Sequence, residues 1–134
     1  MSYLRVYTFA NPAQAVRFDC IAPAGFRLLA AASDLARDWP TDIYLTSGTD
    51  GAHSGPTDSH KRGCAYDAQT NQWPLPDTKQ AFVRAWVERA EGTGESAVAV
   101  GGGWGTTHFW GWVENLGQPN EHAHVQLRQG MSLP

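Results

Sequence analysis

Residues 58–67 read DSHKRGCAYD, with a histidine and an aspartate seven positions apart and a glycine and an alanine between them. Side chains alternate across a strand, so in an extended run Ala65 and Asp67 share one face while Cys64 and Tyr66 share the other. We read residues 62–69 as such a strand, with the small Gly63 and Ala65 leaving clearance beside Asp67. Cys64 is turned towards the core by the same parity.

Working outward, residues 4–9 (LRVYTF) are β-branched and aromatic and predict an N-terminal strand. Between 24 and 39, apolar residues recur at Leu28, Ala32, Leu35, Ala36 and Trp39, the spacing of one helical face, and Pro40 forbids continuation. Residues 42–47 predict a strand, and the loop GTDGAHSGPTD then leads to His60. Asp77 with Gln80 three positions on has the pattern of a capping box, opening a second helix that shows Phe82, Trp86 and Ala90 on one face and stops at Gly92. Strands are predicted over 96–100, 108–114 and 122–127, with GGGWGTT as a flexible turn. Helices beside mostly consecutive strands argue for one α+β domain over 1–134: a small antiparallel sheet with two helices on one face and a site on the other.

Composition narrows the partners. Ten basic and thirteen acidic residues leave a net charge of −3 with no concentrated basic face, which argues against nucleic acid. No apolar run is long enough to span a bilayer. The opening MSYLRVYTFANPAQ lacks the pattern of a secretory signal, so synthesis in the cytoplasm is expected. Cys20 and Cys64 are too few for a disulfide framework and are expected as buried thiols.

Five histidines occur, and four fall into two groups with carboxylates: His53, His60 and Asp67, and Glu121, His122 and His124. Two His and one carboxylate with an open position is the donor set of a catalytic zinc. His122 and His124 share a strand face, so spacing alone does not choose between them. Alternating aromatics such as Trp110 and Trp112 in a strand are more often core than ligand surface, although with Trp104 and His108 they offer stacking surface to a sugar or peptide.

The pattern Ser59-His60-x-x-Gly63-x-Ala65-x-Asp67, followed downstream by Glu121-x-x-His124, resembles the zinc D-alanyl-D-alanine peptidases and their relatives, a group that includes lysostaphin-type peptidases, phage endolysins and the hedgehog fold. The run LTSGTDGAHSGPTDSHKRGCAYDA and the ending EHAHVQL also look like small phage-type members. The resemblance implies that His60, Asp67 and His124 bind one zinc ion, that Glu121 is the catalytic base, and that the substrate is a peptidoglycan stem peptide, cleaved by a monomer acting at the cell wall or periplasm. Where larger members carry Tyr-Arg after the Ser-Gly corresponding to Ser47-Gly48, this chain has Thr49-Asp50, so substrate contacts must come from elsewhere. His53 is the candidate donor to the developing oxyanion or to a substrate carboxylate, and Ser59, Asp50, Arg62 and His122 are candidate substrate contacts. The rival expectation is a non-catalytic zinc module of the same fold that binds cell wall or protein.

Overall fold

Two amphipathic α-helices, a single 3-10 turn (Pro12–Gln14) and seven strands make up the regular structure in the described part of a computed structural model, residues 2–19, 21–50, 59–131 and 133. His53 and Cys20 lie outside the described residues. Helix α1, Pro23–Asp38, buries Ala24, Leu28, Ala31, Ala32, Leu35 and Ala36 along one stripe, with a proline in its first turn and Trp39 at its C-cap. Helix α2, Pro76–Glu91, buries Phe82, Val83, Trp86, Val87 and Ala90 and ends on Gly92 at φ 73°, a left-handed cap that glycine adopts without steric cost. The expected capping box does not form. Pro76 starts the helix two positions early, so Leu75 is the N-cap and Asp77 falls in the first turn, where its charge faces the positive end of the helix.

The strands are β1 (Leu4–Val6), β2 (Ile43–Ser47), β3 (Ala65–Gln69), β4 (Val98–Val100), β5 (Gly103–Gly105), β6 (Phe109–Glu114) and β7 (His122–Leu127). They form one sheet in the order β1-β2-β3-β7-β6-β5-β4. Every neighbouring pair is antiparallel except β1 with β2, which is parallel. Four predicted elements differ from those observed, one being the strand expected from residue 96, which begins at Val98. The first strand stops at Val6. The strand expected from residue 62 begins at Ala65, because Gly63 at φ 72° closes a turn with its N–H donating to the His60 carbonyl. The turn expected at GGGWGTT contains β5, since glycine here serves close packing: a Cβ on Gly103 would lie 2.0 Å from the Gly111 carbonyl oxygen.

Both helices cover the sheet face that carries Tyr66, Ala68, Ala123 and Val125, and these side chains join Leu28, Phe82 and Trp86 in one buried cluster. The Trp86 indole N–H donates to the Leu28 carbonyl at 3.0 Å, fastening the helices to each other. Cys64 is on this side, as parity predicts, and its thiol donates to the Ser59 carbonyl. Among the described residues no helix is long and apolar enough to cross a membrane.

One packing contact ties α1 to the turn that carries His60. The Ala22 N–H donates to the Gly63 carbonyl at 3.1 Å, and a Cβ on Gly25 would lie 2.1 Å from that same oxygen. Gly25→Ala should therefore push the turn outward, costing roughly 1–3 kcal/mol of stability and weakening metal retention with it. Urea unfolding and metal titration of the variant check this, and unchanged values in both would show that the contact tolerates a methyl group.

Candidate metal centre

The register of three strands assembles the site on the face away from the helices. Asp67 of β3 lies directly opposite His124 of β7, which lies opposite Trp112 of β6. His60 arrives from the turn before β3, over the same face. His60 Nε2, Asp67 Oδ1 and His124 Nδ1 stand 3.1, 3.1 and 3.0 Å from one another, and all three residues are buried.

The outer nitrogen of each ring explains why the inner ones face inward. His60 Nδ1 is 2.9 Å from the Gly48 carbonyl oxygen, an acceptor only, so this nitrogen carries the proton and the neutral ring turns the Nε2 lone pair to the centre. His124 Nε2 is 2.7 Å from Gln126 Oε1, while the Gln126 amide nitrogen donates to the Leu127 carbonyl, so His124 presents Nδ1 in the same way. Burial pushes the Asp67 carboxyl up, but with no cation between them, protons carried inward by His124 and His60 would bond the carboxylate, outweigh burial and hold the acid well below the usual carboxylate range. Two imidazole lone pairs and a carboxylate oxygen converging at such distances repel unless a cation lies between them, and this group can hold a metal ion.

The other predicted site residues divide. Ser59 takes a supporting place: its hydroxyl donates to Gln126 Oε1 at 3.2 Å, behind His124. Asp50 works through the backbone, accepting from the N–H groups of Gly48 at 2.7 Å and Arg17 at 3.0 Å, and so fixes the residue whose carbonyl orients His60. His122 shares the face of His124; its Nδ1 meets the Asn120 carbonyl at 2.8 Å, and its Nε2 lies 3.3 Å from Glu114 and 3.7 Å from the second Asp67 oxygen. Arg62 is exposed on the turn.

Glu121 precedes β7 and falls on the opposite parity from His122 and His124. Its carboxylate is held at 2.6 Å by the Thr70 hydroxyl, at 2.8 Å by the Gly117 N–H and at 2.7 Å by the Lys79 ammonium of α2. Burial raises this carboxyl, but the Gly117 N–H, Lys79 and Thr70 outweigh that effect and hold it below its ordinary value. Sequence reasoning passed over Gln126 and Lys79. Gln126 was accessible to it, being two residues after His124 and hence on the same strand face; nothing in the sequence marks Lys79, because a lysine in a first helical turn ordinarily reads as solvated.

A cleft of about 360 Å³ adjoins the centre. Asp67, Gln69 and His122 line it from the sheet, Tyr7 and Phe9 from the N-terminal segment, and Asn71, Asn120 and Glu121 close its end. No protein-family model matches the chain, and no curated protein or solved structure matches it significantly.

Two outcomes follow. Gln126→Ala should lower metal affinity about 10–100-fold in a competition titration against a chelator, because it frees His124 to adopt the wrong tautomer; an unchanged affinity would remove Gln126 from the support of the site. Because the folded carboxyl of Glu121 is depressed, its stabilisation is present above the ordinary value of 4.5 and is lost as pH falls through the folded value. Glu121→Gln should thus be less stable than the parent at neutral pH, with the gap narrowing below pH 4.5 in urea unfolding. A constant gap would contradict the assignment.

Proposed function

We propose that the chain is a zinc-dependent peptidase that hydrolyses an amide bond in peptidoglycan stem peptides, of the D-Ala-D-Ala carboxypeptidase or L-Ala-D-Glu endopeptidase type, and that it serves phage or prophage lysis. The observation that carries this reading is the buried triangle of His60, Asp67 and His124 opening on a cleft large enough for several peptide residues. Tetrahedral zinc with bonds of about 2.0–2.1 Å holds its ligand atoms about 3.3 Å apart, close to the observed spacing of 3.0 to 3.1 Å. Two His, one carboxylate and an open side suit a catalytic zinc better than a structural one, which takes four protein ligands and commonly Cys. Zinc held there would supply Lewis-acid polarisation of a carbonyl and acidification of a water.

The protein groups have separate tasks in this reading. Gly48 and Gln126 fix the orientation and tautomer of both imidazoles. Gln69, Asn71 and Asn120 offer amide donors and acceptors along the cleft for a peptide backbone. Glu121, which borders the cleft and is held ionised by Lys79 and Thr70, is the proton acceptor that the resemblance assigns; it takes a proton from the attacking water and returns one to the departing amine. His53 keeps its proposed role as oxyanion donor, and Arg62 as a contact to an acidic substrate group.

One observation favours the rival reading of a non-catalytic zinc module that binds cell wall or a protein partner: both oxygens of Glu121 are already engaged, by Thr70, Gly117 and Lys79. Release of free amines from purified peptidoglycan separates the two. The peptidase should release amines in a chelator-sensitive manner, and His60→Ala or Asp67→Ala should lose both metal and activity. Glu121→Ala should keep the metal and lose turnover by about 10²-fold or more. Full turnover in Glu121→Ala would refute the assigned base, and zinc-loaded protein that releases no amines would establish the binding module.

A further inference from the structure

The indoles of β6 extend the metal site sideways. On the face away from the helices, β6, β7 and β3 align in three rungs: Glu114 with His122 and Gln69, Trp112 with His124 and Asp67, and Trp110 with Gln126 and Ala65. The ring of Trp112 lies 4.4 Å, centroid to centroid, from that of the ligand His124, and Trp110 lies 4.3 Å from Trp112. An aromatic strip, its successive rings tilted by 40° and 41°, therefore begins on the metal ligand and runs away from it, on the side opposite the Tyr7 and Phe9 wall of the cleft.

These rings are not core. Trp104, the neighbouring indole, faces the helices and meets Gln80 and Arg84, whereas Trp110 and Trp112 point to the uncovered face and are only half-buried. Their orientation is nevertheless fixed. The Trp110 indole N–H donates to the Val100 carbonyl at 3.0 Å, and Gly101 approaches so closely that a Cβ there would meet the ring at 2.8 Å. The indole N–H of Trp112 has no hydrogen-bond partner among the described residues.

We propose that Trp110 and Trp112 form a sugar-binding platform continuous with the metal centre, seating a pyranose ring of the glycan strand so that the peptide it carries crosses the metal. The substrate class rests on the peptidase reading above; the platform itself rests on the close ring contacts and their half-exposure on the uncovered face. A pyranose is amphipathic: its C–H face packs on an indole while its hydroxyls and acetamido groups meet a polar rim. The three rungs provide that rim through the Trp112 N–H and the Glu114 carboxylate, an acceptor for sugar hydroxyls, and they contain no Lys or Arg that would select an anion. Two rings already held in place lose little freedom when a ligand stacks on them. On this assignment the scissile bond lies in the part of the stem nearest the sugar, and a glycan-linked stem peptide is a better substrate than the same peptide free.

The probe is a neutral oligomer of N-acetylglucosamine, followed by the indole N–H resonances of the six tryptophans in the intact protein. Titration at millimolar concentration should shift the Trp110 and Trp112 signals and leave that of Trp104 in place, with or without chelator. Trp110→Ala, which leaves the ring on His124 untouched, should weaken this binding about tenfold, with Trp110→Tyr restoring most of it. The same variant should raise KM for a disaccharide-linked stem peptide and leave kcat, metal content and KM for the sugar-free peptide as in the parent. Parent protein whose Trp110 and Trp112 signals do not move would overturn the proposal, as would movement with the sugar-free peptide alone or equal KM changes for both substrates. The sugar titration needs no turnover, so failure of the peptidase reading would appear separately, as sugar binding without amine release.

Discussion

Three atoms that each want a cation meet in one place, and much of the site is arranged to keep them there. His60 Nε2, His124 Nδ1 and Asp67 Oδ1 would disperse if the imidazoles could rotate or change tautomer. Both escapes are blocked from behind, by the Gly48 carbonyl and by Gln126. Behind those stand Asp50, which fixes Gly48, and Ser59, which fixes Gln126. The outer layer costs little in stability because each member answers a hydrogen-bonding need that its own backbone or side chain already has.

Register does the remaining positioning. A slip of one residue between β3 and β7 would send Asp67 into the core and bring Tyr66 or Ala68 to the metal face, so the apolar surfaces of Tyr66, Ala68, Ala123 and Val125 hold the ligands opposite one another while packing under the helices. The same constraint puts Trp112 against His124 and leaves Glu121 with Thr70 and Lys79.

How far this was visible in the sequence depended on whether a residue's role was local. The bounds of β7 and the stripe of α1 followed from alternation and helical spacing, and the parity of Cys64, Ala65 and Asp67 held because strand geometry permits little else. The glycines between 101 and 105 misled: taken as freedom, they turned out to permit contact, since only a partner strand shows that Gly103 has a carbonyl where its side chain would be. The parallel pairing of β1 had no local signal. Asp50, expected as a substrate contact, reaches the backbone of a neighbour, a distinction that residue type cannot convey. Lys79 lay beyond reach because its partner is 42 positions away.

That separation in sequence has a further meaning for Asp67 and His124, which are 57 residues apart and face each other across two neighbouring strands. Helix α2 and strands β4, β5 and β6 all lie between them. A metal shared by the two residues closes a long loop and acts as a cross-link, removing conformations from the unfolded chain as well as holding the folded one. The site cannot be complete until β7 has docked beside β3, so occupancy reports that the intervening helix and hairpins are in place. Metal depletion would then act as a change in chain connectivity, felt by every element the loop encloses.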